Sequence, residues 1–277
     1  MVASIDPINN KTVLLSIPRD LWVRIPGNGN QKINAAFAHG KEESRAKDKK
    51  TQQKEAIELL DKTLEPVLGI PIHYHTVMNF AAFKQVVDAI GGVNVYVPKE
   101  LAVTERLWIE GTNRHYNLNV KEGWQYFDGT KALYYARSRY TSTRGDFDRS
   151  ERQRLLMTGI KDKVFSAGTF SNPVKMSQLL SSLGNNIYTD FALDDMKSLY
   201  DAMKKIPSKD ITSIDLVTPP NDLVQTANIN GLSVVRPKAG LFDYDGIRAF
   251  IRNAFKDAQI AKENSSIAVY NATSTTG

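Results

Sequence analysis

Arginine side chains are concentrated in one short stretch of the sequence. Six of them fall within eighteen residues, at Arg137, Arg139, Arg144, Arg149, Arg152 and Arg154. The planar guanidinium group donates paired hydrogen bonds to phosphate or carboxylate oxygens. The same stretch holds three acidic residues, Asp146, Asp148 and Glu151. The surplus of arginine predicts an anion-binding site, and pairing of these arginines with local and distant carboxylates is the alternative.

Spacing divides this arginine-rich stretch into two sets. Arg137 and Arg139 alternate, so in an extended segment they point to the same side. Asp148 suits a helix N-cap, with Glu151 as its capping-box partner. One face of the first helical turn then carries Arg149, Arg152 and Gln153, which are spaced at i, i+3 and i+4. Cations at the positive end of a helix are unfavourable without a bound anion, which supports the anion-binding interpretation.

Two shorter segments add basic candidates. Arg19 and Asp20 follow a continuous apolar run, and loops beyond strand ends are where α/β folds place ligands. Arg19 could bind phosphate, and a plain Arg19–Asp20 ion pair is the alternative. Lys32 supplies a point charge suited to phosphate. His39 is a possible base, with a structural role as the favoured interpretation.

Apolar periodicity indicates the elements that must position these side chains. The run at 12–18 predicts a strand buried on both faces, paired in a hairpin with residues 1–5. The expected helices span residues 54–68, 80–90, 129–135, 149–164, 173–183, 194–205 and 246–261. Further strands are expected at 70–77, 93–97 and 211–217, with an irregular excursion at 99–125. This order predicts an α/β fold, a central mixed sheet covered by helices on both sides.

Composition excludes several classes of function. The chain has 277 residues and no cysteine, so thiol catalysis, disulfides and Cys-based zinc sites are excluded. The net charge of +6 favours anionic partners. Nucleic acid is not expected among them, because no aromatic platform or groove-reading motif accompanies the basic residues. P-loop, nucleophile-elbow and zinc-protease motifs are also missing from the sequence.

Five segments, taken together and in this order, resemble the LytR-CpsA-Psr family of bacterial cell-wall glycopolymer ligases. They lie at 15–21 (LSIPRDL), 32–36 (KINAA), 86–93 (VVDAIGGV), 132–139 (ALYYARSR) and 145–153 (GDFDRSERQ). The resemblance is strongest over 1–165, and its specificity comes from the combination of segments. It predicts a domain over 1–262 that lacks an upstream part, then a linker and the start of another domain at 263–277.

The resemblance implies a phosphotransferase. Such an enzyme passes a glycopolymer, for example a teichoic acid or capsule, from a polyprenyl pyrophosphate carrier to a hydroxyl of peptidoglycan. In the family, the pyrophosphate is surrounded by the positions matching Arg19, Arg137, Arg139, Arg149 and Gln153. The point charge of Lys32 and the helical spacing of Arg152 add these two residues to the predicted binding set. The expected catalytic residues are Arg19, Asp146 and Arg149.

The resemblance also implies a magnesium ion that bridges the phosphates. The family's acidic ligands match no residue of this sequence, because they precede its first residue, and no metal ligand is assigned here. The expected place of action is the membrane surface, on the extracytoplasmic face of the bacterial cell membrane. A non-catalytic module that binds polyprenyl phosphate is the alternative function.

Overall fold

The computed structural model describes residues 1–139, 146–166, 178, 181–207, 210–217 and 222–256. The strands are β1 (Val2–Asp6), β2 (Lys11–Ser16), β3 (Trp22–Ile25), β4 (Gly29–Lys32), β5 (Thr76–Met78), β6 (Val93–Val97), β7 (Val103–Trp108), β8 (His115–Val120), β9 (Gly123–Phe127), β10 (Ile187–Thr189), β11 (Ile211–Asp215), β12 (Val224–Ile229) and β13 (Leu232–Pro237). The helices are α1 (Asn34–Glu43), α2 (Lys49–Leu68), α3 (Phe80–Ala89), α4 (Gly129–Arg137), α5 (Asp146–Ser166), α6 (Leu193–Lys204) and α7 (Asp245–Lys256). The α/β class predicted from the sequence is confirmed.

Strand β2 lies at the centre of a three-stranded mixed sheet. It pairs antiparallel with β1 and parallel with β11. Its residues from Thr12 to Ser16 are all buried, as expected for an apolar run covered on both faces. Both β2 and β11 run toward the same edge of the sheet, and Arg19 follows that end of β2. Smaller antiparallel pairs surround this sheet, among them β6–β9, β7–β8 and β12–β13.

Side-chain caps fix several helix starts. Asp48 accepts a hydrogen bond from the backbone N of Thr51 at 2.8 Å, so α2 begins five residues before its predicted start. The first turns of α2 are polar and show no apolar periodicity, so the sequence did not indicate that the helix begins there. Gly69 ends α2 in the left-handed region, at φ 71°. Asn79 caps α3 by accepting a hydrogen bond from the backbone N of Ala82 at 2.9 Å.

The described residues form two apolar cores. One gathers β2, α2 and α7 around Leu15, and the other packs β6–β9 against α3, α4 and α5 around Phe127. Leu156 of α5 belongs to the second core. On the same helix, Arg154 Nη1 lies 3.5 Å from Asp215 Oδ2 at the end of β11. Helix α5 therefore connects the sheet of the first core to the second core.

The predicted irregular excursion at 99–125 was wrong. Strands β7 and β8 form an antiparallel ribbon, and β9 pairs with β6. Val103, Leu118 and Val120 point into the core, while Thr104, Arg106, Trp108, Asn117 and Asn119 face outward. A strand with one buried face shows an apolar residue only at every second position. The outward aromatic residues hid that alternation.

Other predicted element boundaries also differ from those in the structure. The predicted strand at 70–77 is reduced to β5, α4 continues to Arg137, and the β12–β13 hairpin was not predicted. Most of the predicted helix at 173–183, the end of the helix at 246–261 and the predicted segment 263–277 lie outside the described residues. No helix in the described ranges combines the length and apolarity needed to cross a bilayer.

Gly129 tests the packing of α4, the helix that ends in the arginine-rich stretch. A Cβ there would collide with the backbone O of Lys84 and lie 2.8 Å from the Asp88 carboxylate. We expect Gly129→Ala to lower the free energy of unfolding by about 1–3 kcal/mol through overpacking. Urea denaturation measures this change.

Gly246 in the first turn of α7 is the matched control. A Cβ there meets its nearest atom, in Leu223, at 3.8 Å, which is an ordinary contact. Gly246→Ala should leave stability unchanged or raise it by up to about 1 kcal/mol, since alanine favours a helix. Equal losses in the free energy of unfolding in the two variants would contradict the packing argument.

Candidate anion-binding site

A cavity of about 500 Å³ opens beside the start of α5. It is lined by Arg19, Phe80, Glu105, Arg106, Leu107, Trp108, Ala136, Arg137, Arg139, Arg149 and Gln153. Five of the lining residues are arginines, and they come from four separate parts of the chain: the loop after β2, strand β7, the end of α4 and the first turns of α5. The structure therefore brings distant cations together around one space.

The loop that carries Arg19 is held by backbone hydrogen bonds. The backbone N of Asn34 donates to the carbonyl of Arg19 at 3.2 Å, and the N of Leu21 donates to that of Pro18 at 3.1 Å. The Arg19 side chain stays 46% exposed. Its Nε lies 3.8 Å from Asp20 Oδ1, so the alternative ion pair is present but long.

Lys32 belongs to a different environment from the one predicted. Its Nζ lies 3.2 Å from Asp20 Oδ1, and the residue does not line the cavity. The interaction of Asp20 with Lys32 is closer than its interaction with Arg19. Lys32 therefore neutralises Asp20, which leaves the Arg19 guanidinium oriented by a weaker contact. His39 also lies apart, with Nε2 3.1 Å from Gln31 Oε1, in agreement with a structural role.

Arg137 and Arg139 line the cavity together, although not as an extended pair. Arg137 is the last residue of α4, and the backbone becomes extended only at Ser138, with ψ 134°. The helix end was predicted two residues too early. The Arg137 guanidinium lies over the ring of Phe80, 4.3 Å from its centroid. This cation–π contact holds the planar guanidinium group against one wall.

Glu105 of β7 is a buried carboxylate within the cavity wall. Its Oε2 accepts hydrogen bonds from Ser138 Oγ at 2.5 Å and from the backbone N of Arg139 at 3.2 Å. Glu105 is only 8% exposed, so these bonds are shielded from water. They fix the chain between Arg137 and Arg139 and place a negative charge among the arginines. Sequence reasoning missed Glu105 because it lies in the segment interpreted as irregular.

Helix α5 presents two of its three predicted residues to the cavity. Arg149 and Gln153 line it, and Gln153 Nε2 donates to the carbonyl of Ala136 at 3.1 Å. Arg152 is instead 1% exposed and does not line the cavity. Positions i+3 and i+4 differ by about 100° around a helix, so the two residues need not share an environment. Arg152 lies on the side that meets α4.

The buried Arg152 guanidinium connects α5 to two neighbouring segments. Its Nη1 donates to the carbonyl of Ser138 at 3.1 Å, and its Nε donates to that of Leu101 at 3.4 Å. The ring of Tyr135 lies 5.7 Å away, and its hydroxyl donates to the same Leu101 carbonyl at 3.1 Å. Burial raises the pKa of the Tyr135 phenol far above its ordinary range, so this hydroxyl remains a donor.

The predicted N-cap of α5 was wrong. The helix begins at Asp146, so Asp148 lies inside the first turn and is 2% exposed. The side chain of Asp146 and all of Arg144 lie outside the described residues. Among the residues that are described, no group of three or more His, Cys, Asp or Glu side chains is arranged to hold a metal ion.

Several wall residues carried a signal that sequence analysis did not use. Arg106 and Trp108 stand two positions apart on β7 and therefore share a face. Phe80 is the first residue of α3, and its aromatic ring is 46% exposed. The sequence shows the type of each of these residues. Their position beside the cavity depends on strand pairing or on the packing of α3 against α4.

Comparisons with known proteins agree with this architecture. A family model described as the LytR_cpsA_psr family matches residues 1–239. The polyisoprenyl-teichoic acid–peptidoglycan teichoic acid transferase TagU of Enterococcus faecalis is 34% identical over 200 residues, which are 72% of this chain and 56% of that protein. TagV of Bacillus subtilis, named as the same kind of transferase, is 32% identical over 230 residues, 80% of this chain and 53% of that one.

A solved structure of TagT bound to LIIa-WTA has the same fold. It gives a TM-score of 0.68 at 24% identity and covers 92% of this chain and 82% of its own. The family model spans most of the chain and extends well beyond 1–165, where the sequence resemblance was strongest. The chain belongs to the LytR-CpsA-Psr family. It spans just over half the length of the curated relatives it matches.

Arg152 provides a test that separates structural from cavity-lining arginines. We expect Arg152→Leu to lower the free energy of unfolding by about 1–3 kcal/mol, because the buried carbonyl of Ser138 loses a donor and that of Leu101 keeps only the Tyr135 hydroxyl. Arg106→Leu is the matched control, since Arg106 is exposed in the cavity wall and should cost no more than about 0.5 kcal/mol. Urea denaturation measures both. A small loss for Arg152→Leu would show that its hydrogen bonds contribute little.

Proposed function

We propose that this chain binds the pyrophosphate of a polyprenyl-linked glycopolymer and transfers the glycan phosphate to a hydroxyl of peptidoglycan. The observation that carries the proposal is the convergence of five arginines on one cavity. A pyrophosphate diester carries two negative charges on closely spaced oxygens. Several guanidinium groups from different directions can satisfy these oxygens at once.

The wall residues divide into those that meet the phosphates and those that support them. Arg19, Arg137, Arg139, Arg149 and Gln153 are assigned to bind the pyrophosphate, and Arg106 joins them. The first turn of α5 adds its positive helix end near Arg149. Arg152 is assigned a supporting role, because its donors are directed at backbone carbonyls. Lys32 supports Arg19 indirectly by engaging Asp20.

The proposed reaction is a phosphoryl transfer with inline displacement. The acceptor hydroxyl oxygen attacks the phosphorus that carries the glycan, and a new P–O bond forms there. The bond from this phosphorus to the bridging oxygen breaks, and polyprenyl phosphate leaves with the electron pair. The hydroxyl proton passes to water. Charge that develops on the leaving phosphate is stabilised by Arg19 and Arg149, because fixed cations in a walled site need no reorganisation.

Asp146 retains its proposed role next to Arg149. It is the first residue of α5, so its backbone lies one turn before Arg149, at the helix end that we propose faces the phosphates. We assign it to orient the arginines or the acceptor hydroxyl. Asp146→Asn tests this role, since the amide preserves size and removes charge.

Magnesium remains a prediction that comes from the resemblance. The carboxylates described in and beside the wall are already engaged, Glu105 by Ser138 and Arg139, and Asp20 by Lys32. These residues do not fit a metal ion, so no step is assigned to one. Among the described residues, the arginines are the ones assigned to neutralise the phosphates.

The relatives favour transfer over binding without catalysis. TagU and TagV are both named as polyisoprenyl-teichoic acid–peptidoglycan teichoic acid transferases. We therefore propose a teichoic acid as the glycopolymer and the outer face of the cell membrane as the place of action. Polyprenyl carriers are lipids, so we expect the opening of the cavity to lie at a membrane surface during the reaction.

Substitution of single wall arginines tests the phosphate assignment. We expect Arg137→Ala and Arg149→Ala each to weaken polyprenyl pyrophosphate binding at least tenfold, about 1.4 kcal/mol, because each removes a charge-assisted pair of hydrogen bonds. Isothermal titration with a short-chain polyprenyl pyrophosphate measures the affinity. Arg252→Ala, an exposed position on α7 outside the cavity, is the matched control for the loss of one positive charge. Unchanged affinity in both wall variants would refute the assignment.

An assay of transfer tests the reaction itself. With a polyprenyl pyrophosphate-linked glycan and peptidoglycan fragments, we expect release of polyprenyl phosphate together with a phosphodiester between glycan and acceptor. Mass spectrometry of the peptidoglycan detects that bond. Binding of the donor without release would favour the non-catalytic module, and release without an acceptor would indicate hydrolysis. Arg149→Ala should reduce transfer at least tenfold at saturating donor, since it removes stabilisation of the leaving phosphate.

A further inference from the structure

The β7–β8 ribbon has an outward face of distinctive composition. We call it the ribbon face, and its members are Thr104, Arg106, Trp108, His115, Asn117 and Asn119. All are exposed except His115, which is half-buried. The opposite face supplies Val103, Leu118 and Val120 to the core. The ribbon face thus combines one large aromatic ring with hydroxyl, amide and guanidinium groups.

Trp108 stands out on this face because it is held in place while remaining 61% exposed. Its ring centroid lies 3.7 Å from that of His115, its cross-strand partner, with 39° between the ring planes. The imidazole supports one side of the indole and restricts its rotation. An indole held in this way presents its other side to solvent as a flat apolar surface.

The ribbon face is continuous with the arginine cavity. Arg106 and Trp108 belong to both, since each lines the cavity and each lies on the outward side of β7. Asn117 is the cross-strand partner of Arg106 and extends the face away from the cavity. A molecule whose phosphate reaches the arginines would therefore have its adjacent group beside Trp108.

We propose that the ribbon face is a sugar subsite, in which Trp108 stacks against the first ring of the glycan carried on the phosphate. This inference rests on the proposed function. A pyranose has an apolar C–H face and a rim of hydroxyl and amide groups. The indole matches the apolar face, and aromatic rings with a polar margin suit ligands that are partly wet. Asn117 and Arg106 can hydrogen-bond the rim.

The polyprenyl tail is the competing occupant of this surface, and exposure argues against it. A hydrocarbon chain gains free energy in proportion to the apolar area removed from water. Trp108 is surrounded on the ribbon face by polar partners, so a tail placed there would remain largely wet. A sugar ring loses nothing by the same exposure, because its hydroxyl groups stay solvated.

The test uses two ligands of equal charge. One is a short-chain polyprenyl pyrophosphate that carries a single N-acetylhexosamine, and the other is the same pyrophosphate with a methyl group in place of the sugar. Binding of the methyl ligand by the wild-type chain tests the phosphate site of the proposed function. The ratio of the two affinities tests the sugar subsite.

We expect Trp108→Ala to weaken the sugar-bearing ligand about fivefold and to change the methyl ligand by less than about twofold. Trp108→Phe should recover part of the difference, because it retains a flat ring. Trp124→Ala is the matched control, since Trp124 is 74% exposed on β9 and does not line the cavity. It should affect neither affinity. In a Trp124→Phe background, the sugar-bearing ligand should also change the indole fluorescence more than the methyl ligand does.

Equal weakening of both ligands by Trp108→Ala would overturn the inference, because it would assign the indole to the tail or to the membrane. Unchanged affinity for both would overturn it as well. If the wild-type chain binds neither ligand, the proposed function fails and the subsite fails with it. Binding of both ligands by the wild type, with no preference that depends on Trp108, rejects the subsite alone.

Discussion

The buried guanidinium of Arg152 is the interaction on which the geometry of the cavity depends. It joins α5 to the carbonyls of Ser138 and Leu101, and therefore to the chain that follows α4 and to the turn that precedes β7. A buried charge is tolerated only where its donors are satisfied, so these three segments can adopt few relative positions. Arg106, Arg139 and Arg149 each extend from one of them. Their spacing is consequently set by a residue that does not enter the cavity.

Like charges in the wall impose the second constraint. Five guanidinium groups around one space repel one another, and this repulsion is strongest where water is partly excluded. Glu105 offsets part of it from inside the wall, and Phe80 holds Arg137 through its ring. The helix end of α5 adds further positive potential. An anion relieves all of these costs together, which is why the same arrangement that is unfavourable when empty suits a doubly charged pyrophosphate.

The sequence predicted the α/β class and the β1–β2 hairpin, because the apolar patterns that indicate them are local. It also identified Arg19, Arg137, Arg139, Arg149 and Gln153 as neighbours of one site through the family motifs, and the structure brings these residues together around the cavity. Arg152 was misplaced because helical spacing gives an angle but not the surface that the angle faces. Glu105, Arg106 and Trp108 were missed because their positions depend on pairing between β7 and β8. The period-two spacing of Arg106 and Trp108 is visible in the sequence, but their place beside the cavity depends on how the β7–β8 ribbon packs in the fold.

The cations that line the cavity among the described residues are all arginines, and this has a consequence for release of the proposed product. Guanidinium groups keep their positive charge at any pH at which the protein is folded. A pyrophosphate diester likewise keeps two charges throughout the neutral range. Polyprenyl phosphate, the proposed leaving product, is a monoester whose second proton dissociates near pH 6. Mild acidity would therefore weaken the binding of polyprenyl phosphate and leave the binding of the incoming pyrophosphate donor unchanged. Local acidification at the cavity would in this way favour turnover.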